Sequence, residues 1–213
     1  GFVLMDNEYI DAWERHFPRL LFFFALDRPV VPRSDICRAF WPELNAEQAV
    51  NVFHVTKRRL HKALDIDVLV HEDGYYRVNP VLSIYYDVME FVKALMAGRD
   101  EENPDRVDAW QKAIDLYRGP FLQGHDDAWI QERRIDFRAG YIEALTFMSQ
   151  VWEDRGRPEQ SLALFQKALL EDYQNEYFLR EVMRLFTLLG RRSEAAGHYQ
   201  QLLNHLRKVK LQP

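Results

Sequence analysis

The sequence predicts a mainly α protein in two parts: a small mixed domain of hairpins and helices, then an all-helical repeat domain. Three observations carry this reading. Strand-length apolar runs flanked by turn residues occur before residue 80, and from about residue 84 onward helical spacing continues almost without a break. Gly156-Arg157 recurs as Gly190-Arg191, and Phe165 as Tyr199, each 34 residues later. That interval belongs to stacked helix-turn-helix units.

Residues 2–13, "FVLMDNEYIDAW", read as two short strands joined at Asp6-Asn7, a turn-forming pair. In "FPRLLFFFALD", 17–27, Pro18 stands near a helix start, where its missing N–H costs least. Leu20 to Phe24 then put apolar side chains all round that helix, so it is covered on more than one side. "RSDICRAFWPE" supplies Ser34 as an N-cap and a short helix that Pro42 ends. Asn45 with Gln48 makes a capping-box-like start for a longer helix, about 46–64. After it, "DVLVHEDGYYRVNP" gives a strand, an Asp73-Gly74 turn and a second strand. Two helices on a short linker form a helix-turn-helix, and a hairpin behind them serves as a wing. We therefore expect a winged helix-turn-helix domain with small β-hairpins over 1–82.

Helices are expected near 86–98, 104–117, 127–155, 158–171, 175–189 and 192–207, punctuated by Gly98, Gly119-Pro120, Gly156-Arg157-Pro158 and Gly190. "WQKAI" at 110–114 echoes "FQKAL" at 165–169, with the insertion "YRGPFLQGHDD" between them. The result is three helix pairs, the first irregular: a tetratricopeptide-like domain over 83–213. Trp110, Tyr117, Trp129, Tyr141 and Phe165 fall where aromatic side chains pack repeats together, and stacked pairs offer concave surfaces to partners.

Composition narrows the function. The 213 residues are 47% hydrophobic, ample for one or two cores. The single cysteine, Cys37, excludes an internal disulfide framework and a cysteine-rich zinc site. No apolar run approaches the ~18 residues of a membrane span and no signal peptide leads the chain, which predicts a soluble, cytoplasmic protein with no membrane partner. Net charge is −5; residues 1–80 hold 10 Lys/Arg against 12 Asp/Glu, and 81–213 hold 18 against 21. Any nucleic-acid contact must therefore rest on local clustering of cations. The chain begins with Gly, and we expect a fragment of something longer.

Such a cluster stands in "NVFHVTKRRLHKAL", 51–64, where four bases and two histidines fall within 54–62. On a helical wheel Ala49, Val52, Phe53, Thr56, Leu60, Ala63 and Leu64 form one stripe, which faces a core. Glu47, Asn51, His54, Arg58, His61 and Lys62 lie opposite, with Lys57 and Arg59 at the flanks. Arg grips guanine bidentately, Asn pairs with adenine, and further cations meet phosphates. A solvated amphipathic helix, or one facing an acidic protein, would carry the same pattern. The capped helix before it and the hairpin after it favour DNA. The carboxylates of Glu72 and Asp73 at the hairpin tip argue the other way, with Arg77 the base nearby.

The run "RSDICRAFWPE…AVNVFHVTKRRLHKAL…LVHEDGYYRVNP" resembles the winged-helix DNA-binding domain of OmpR-like response regulators. "AWQKAIDLYRGPFLQGHDDAWIQERR" and the repeats to "LLNHLRKVKLQP" resemble the bacterial transcriptional activator domain. The two occur in this order in the antibiotic-regulatory-protein (SARP) family. The resemblance implies a transcriptional regulator whose DNA-reading helix maps to Asn51, His54, Val55, Thr56, Arg58, Arg59, His61 and Lys62. Its wing maps to 71–77, with Tyr76 and Arg77 as an aromatic-then-arginine pair, and Arg77 joins the DNA contacts. It further implies double-stranded promoter DNA as partner, a homodimer on direct repeats, and RNA polymerase contacted through the loop from Trp41 to Asn45. The family's N-terminal sheet is longer than one hairpin, which fits a truncated N-terminus. A rival reading is an interaction module, joined to other domains of a longer chain, whose winged helix no longer binds DNA.

Chemistry at a catalytic centre is not expected. "YRGPFLQG" lacks the Lys and Ser/Thr of a phosphate-binding loop, and no Ser or Cys has a nucleophile elbow or an adjacent base. Asp126-Asp127 suits helix N-terminal charge better than acid–base work. His54 and His61 share a face with Arg58 between them, so neither a metal nor a cofactor is expected.

Overall fold

The computed structural model describes residues 3–6, 8–10, 13, 16–28 and 30–200. The elements run β1 (Leu4–Met5), β2 (Glu8–Tyr9), α1 (His16–Asp27), β3 (Val31–Pro32), α2 (Arg33–Phe40), α3 (Ala46–Leu64), β4 (Leu69–Glu72) and β5 (Tyr75–Val78). They continue with α4 (Asp87–Arg99), α5 (Arg106–Leu116), α6 (Ala128–Asp154), α7 (Pro158–Glu171) and α8 (Glu176–Leu188), and a helical run at 192–200. The fold class is the expected one. The expected last helix reaches 207, and its residues 201–207 lie outside the described residues, as does Asn7 of the first turn.

Two compact units emerge: residues 1–89 with 119–134, and residues 90–118 with 135–213. In the first, α1 is buried all round, as its uninterrupted apolar run requires. Phe24 at its centre meets Phe40 of α2 edge-on at 5.3 Å and Trp129 at 5.1 Å. Trp129 therefore belongs to the winged-helix core, not to repeat packing as the sequence suggested. Close to it Arg133 donates from Nη2 to the Asp27 carboxylate at 2.8 Å, a pair whose Asp side chain is 4% exposed. Arg134 donates to the carbonyls of Phe121 and Leu122 and so fastens the loop before α6.

The small sheet has order β3-β5-β4, antiparallel throughout. Strand β3 was not foreseen; its Pro32 sits on an edge, where a missing N–H breaks no inner ladder. It also corrects the expected cap. Extended backbone persists to Pro32, so α2 begins at Arg33 with no side-chain cap, and the Ser34 hydroxyl lies 3.4 Å from Asp35 Oδ1 instead. The other two local signals hold. Asn45 Oδ1 accepts from the Gln48 N–H at 3.0 Å at the start of α3. Asp73 and Gly74 take φ of 51° and 86°, the pair of positive values that a type I′ two-residue hairpin turn requires.

In the second unit the 34-residue repeat is visible atom by atom. Gly156 and Gly190 adopt φ of 68° and 75°. The next residue's N–H reaches back to an aromatic residue's carbonyl, Arg157 to Trp152 and Arg191 to Phe186, each at 2.8 Å. Each glycine N–H also donates three residues back, to Glu153 and to Thr187. Both helices thus end in the same glycine-dependent motif. The arginines then cover the rings, at 5.6 Å over Trp152 and 4.7 Å over Phe186. Gly98, expected as a helix stop, lies inside α4 and packs against Trp110; a Cβ there would stand 2.5 Å from the indole.

Candidate nucleic-acid interface

Helix α3 is amphipathic in the expected sense. Ala49, Phe53, Thr56, Leu60 and Leu64 are buried, while Asn51, His54, Val55, Arg58, His61 and Lys62 are exposed. The exposed six are spaced i, i+3, i+4, i+7, i+10 and i+11. At 1.5 Å per residue they form one stripe about 16 Å long. Its inner side is fixed by Phe53, which is fully buried and meets Tyr76 of β5 edge-on at 4.9 Å.

Two residues need correction: Thr56 stands where the helical wheel put it and not where the resemblance implied, and Val52 leaves the stripe the wheel gave it. Thr56 is 4% exposed and its hydroxyl donates to the Val52 carbonyl at 2.9 Å, so it faces the core and cannot reach a base. Its hydroxyl is satisfied within its own helix, which removes the cost of burying it. Val52, placed in the core stripe, stands at the stripe's edge, 36% exposed.

Electrostatics sort the remaining side chains. Arg58 projects from the middle of the stripe. His61 Nδ1 lies 3.3 Å from the Asp67 carboxylate just beyond the helix. Lys57 is half-buried with its ammonium 5.5 Å from the Tyr76 ring centre, and Arg59 is half-buried on the other flank. In the hairpin Arg77 ion-pairs with Glu72, so the wing's cation already has an anion. Tyr76, the aromatic half of the expected wing pair, is buried and serves packing. Sequence reasoning read α2 as a helix but did not single out Arg33 and Arg38, both of which it exposes.

Among the described residues, no three His, Cys, Asp or Glu side chains come together to hold a metal ion. Among the same residues, no helix is long and apolar enough to cross a membrane.

Comparison with known proteins agrees with the fold. The family model for the bacterial transcriptional activator domain matches residues 86–209. Among solved structures the chain is similar to Mycobacterium tuberculosis EmbR in complex with a low-affinity phosphopeptide, with a TM-score of 0.72 at 21% identity. The match covers 95% of this chain and 56% of that one, so the chain spans little more than half of that protein's length. No curated protein matches by sequence. The likeness to EmbR concerns the fold, a winged helix followed by helical repeats. With the family model covering more than half of its residues, the chain belongs to the bacterial transcriptional activator domain family and carries that domain behind a winged helix.

Proposed function

We propose that the chain is a DNA-binding transcriptional regulator that acts by recognition without chemistry. The exposed stripe of α3 carries this reading: Asn51, His54 and Arg58 stand one helical turn apart on a face with no core duty. In a major groove these side chains reach base edges, with Val55 available to a thymine methyl. Lys62 and His61, and Arg59 on the flank, lie nearer phosphates and supply salt-dependent affinity. The repeat domain supplies contacts to a second copy or to another protein, with RNA polymerase a partner in the activator role.

One observation favours the rival, an interaction module whose winged helix no longer binds DNA. Glu72 neutralises Arg77 and Asp73 stands beside it, so the hairpin tip presents carboxylates where a wing would approach phosphates. Fluorescence anisotropy of promoter-length duplexes across a salt series separates the two readings. The regulator binds at low salt and weakens steeply as salt rises; the interaction module gives no binding at any salt.

A further inference from the structure

The first unit contains a cleft of about 720 Å³, bounded by α2, the turn between α2 and α3, the first two turns of α3, and the hairpin tip. Its size falls within the roughly 300–1,000 Å³ of small-molecule sites. Trp41, Pro42, Leu44, Ala46, Ala49 and Val50 give it an apolar wall. Arg33, Arg38 and His71 supply its basic groups, and among the described residues that line it none is Asp or Glu. In a chain of net charge −5 such a lining is unusual. Two carboxylates next in sequence to the lining already have cations. Glu72 is bound to Arg77, and Asp35 stands 3.8 Å from a mostly exposed Arg38.

We propose that this cleft binds a small amphipathic anion, a flat apolar body bearing one carboxylate or phosphate, with Arg33 and Arg38 gripping the acid and the Trp41 side taking the body. Charge complementarity favours an anion, because Arg33 and Arg38 line the cleft and a charge-assisted hydrogen bond from an acid is shorter and stronger than the 3.8 Å contact Arg38 makes with Asp35. The apolar wall argues against a bare sugar-phosphate strand, which needs cations and hydrogen-bond donors but no hydrophobic lining. None of the α3 residues that line the cleft belongs to the exposed stripe of that helix, so the cleft is a site separate from the proposed base readers. Pro32, His71 and Gly74 bring the sheet to its rim, so a bound molecule ties the hairpin tip to the start of α3.

The test uses the whole chain and no DNA, so its outcome is independent of the regulator reading. Naphthalene-2-carboxylate and its neutral carboxamide are titrated by calorimetry. The carboxylate should bind one to one and saturably, and the carboxamide about tenfold more weakly or worse. Arg33→Gln with Arg38→Gln, both exposed and so safe for folding, should weaken the carboxylate at least about tenfold while the circular dichroism stays unchanged. Val50→Trp, which fills the cleft from its rim, should abolish binding. The proposal is overturned by no saturable binding up to millimolar carboxylate, by equal binding of the carboxamide, or by binding that survives both sets of variants.

Discussion

Phe53 of α3 and Tyr76 of β5 meet edge to face, ring centres 4.9 Å apart at 72°. One ring comes from the buried stripe of the proposed reading helix and the other from the centre of the three-stranded sheet, so this pair sets where the hairpin stands beside α3. Tyr76→Ala removes a buried aromatic and should cost about 3 kcal/mol of stability, read by urea denaturation. Tyr76→Phe, which keeps the ring pair, should cost far less.

Thr56→Val should leave duplex affinity unchanged and alter stability by less than about 1 kcal/mol. The Thr56 hydroxyl serves only the carbonyl of Val52, and the isosteric methyl fills the same buried space. A tenfold loss of DNA binding with an intact fold would restore Thr56 to the reading face.

Gly98→Ala should destabilise the second unit by about 1–3 kcal/mol, because the new methyl would overlap the buried Trp110 ring. Thermal unfolding followed by circular dichroism measures this.

At the glycine caps, Gly156→Ala and Gly190→Ala should each cost about 1 kcal/mol, since both positions need positive φ and have open space around them. The conformation is what these two residues supply, so Asn should be tolerated better than Ala.

Acid should loosen the loop before α6. His125 stands 3.2 Å from the Arg19 guanidinium with His16 close by, and among the described residues Asp127 offers a compensating charge. Burial first, then Arg19, holds its pKa below the ordinary 6.5. The fold thus favours neutral His125, and below 6.5 the unfolded chain takes up the proton first. Stability from this residue is complete above pH 6.5 and is lost as pH falls through the lower folded value. His125→Gln should flatten that part of the stability–pH curve; an unchanged curve contradicts the assignment.

What the sequence disclosed, and what it withheld, divides by range. The Asn45 cap, the Asp73-Gly74 turn and the glycine caps of the repeats depend on residues a few positions apart, and each stands where it was expected. Strand β3 was hidden because Val31 and Pro32 become a strand through pairing with Tyr76 and Tyr75, more than 40 residues away. Trp129 and Arg133 carry an ordinary helical spacing, yet their partners Phe24 and Asp27 lie about a hundred residues earlier. In the candidate interface the wheel separated the exposed face of α3 from its buried one, with Val52 at the boundary. At Thr56 the wheel, which placed it in the core stripe, agrees with the structure, and the family resemblance, which placed it on the reading face, does not.

The central claim is that the exposed stripe of α3 reads DNA, and Arg58 tests it most directly. Duplexes selected from random sequence by the wild-type chain are titrated against wild type and Arg58→Ala by fluorescence anisotropy, in several salt concentrations. The account predicts a wild-type affinity that falls linearly in log–log form with salt. It predicts a loss of about 1–3 kcal/mol for Arg58→Ala on the selected site and a smaller one on unrelated sequence. Wild-type binding with no salt dependence, or an Arg58→Ala variant that keeps full affinity for the selected site, would contradict it.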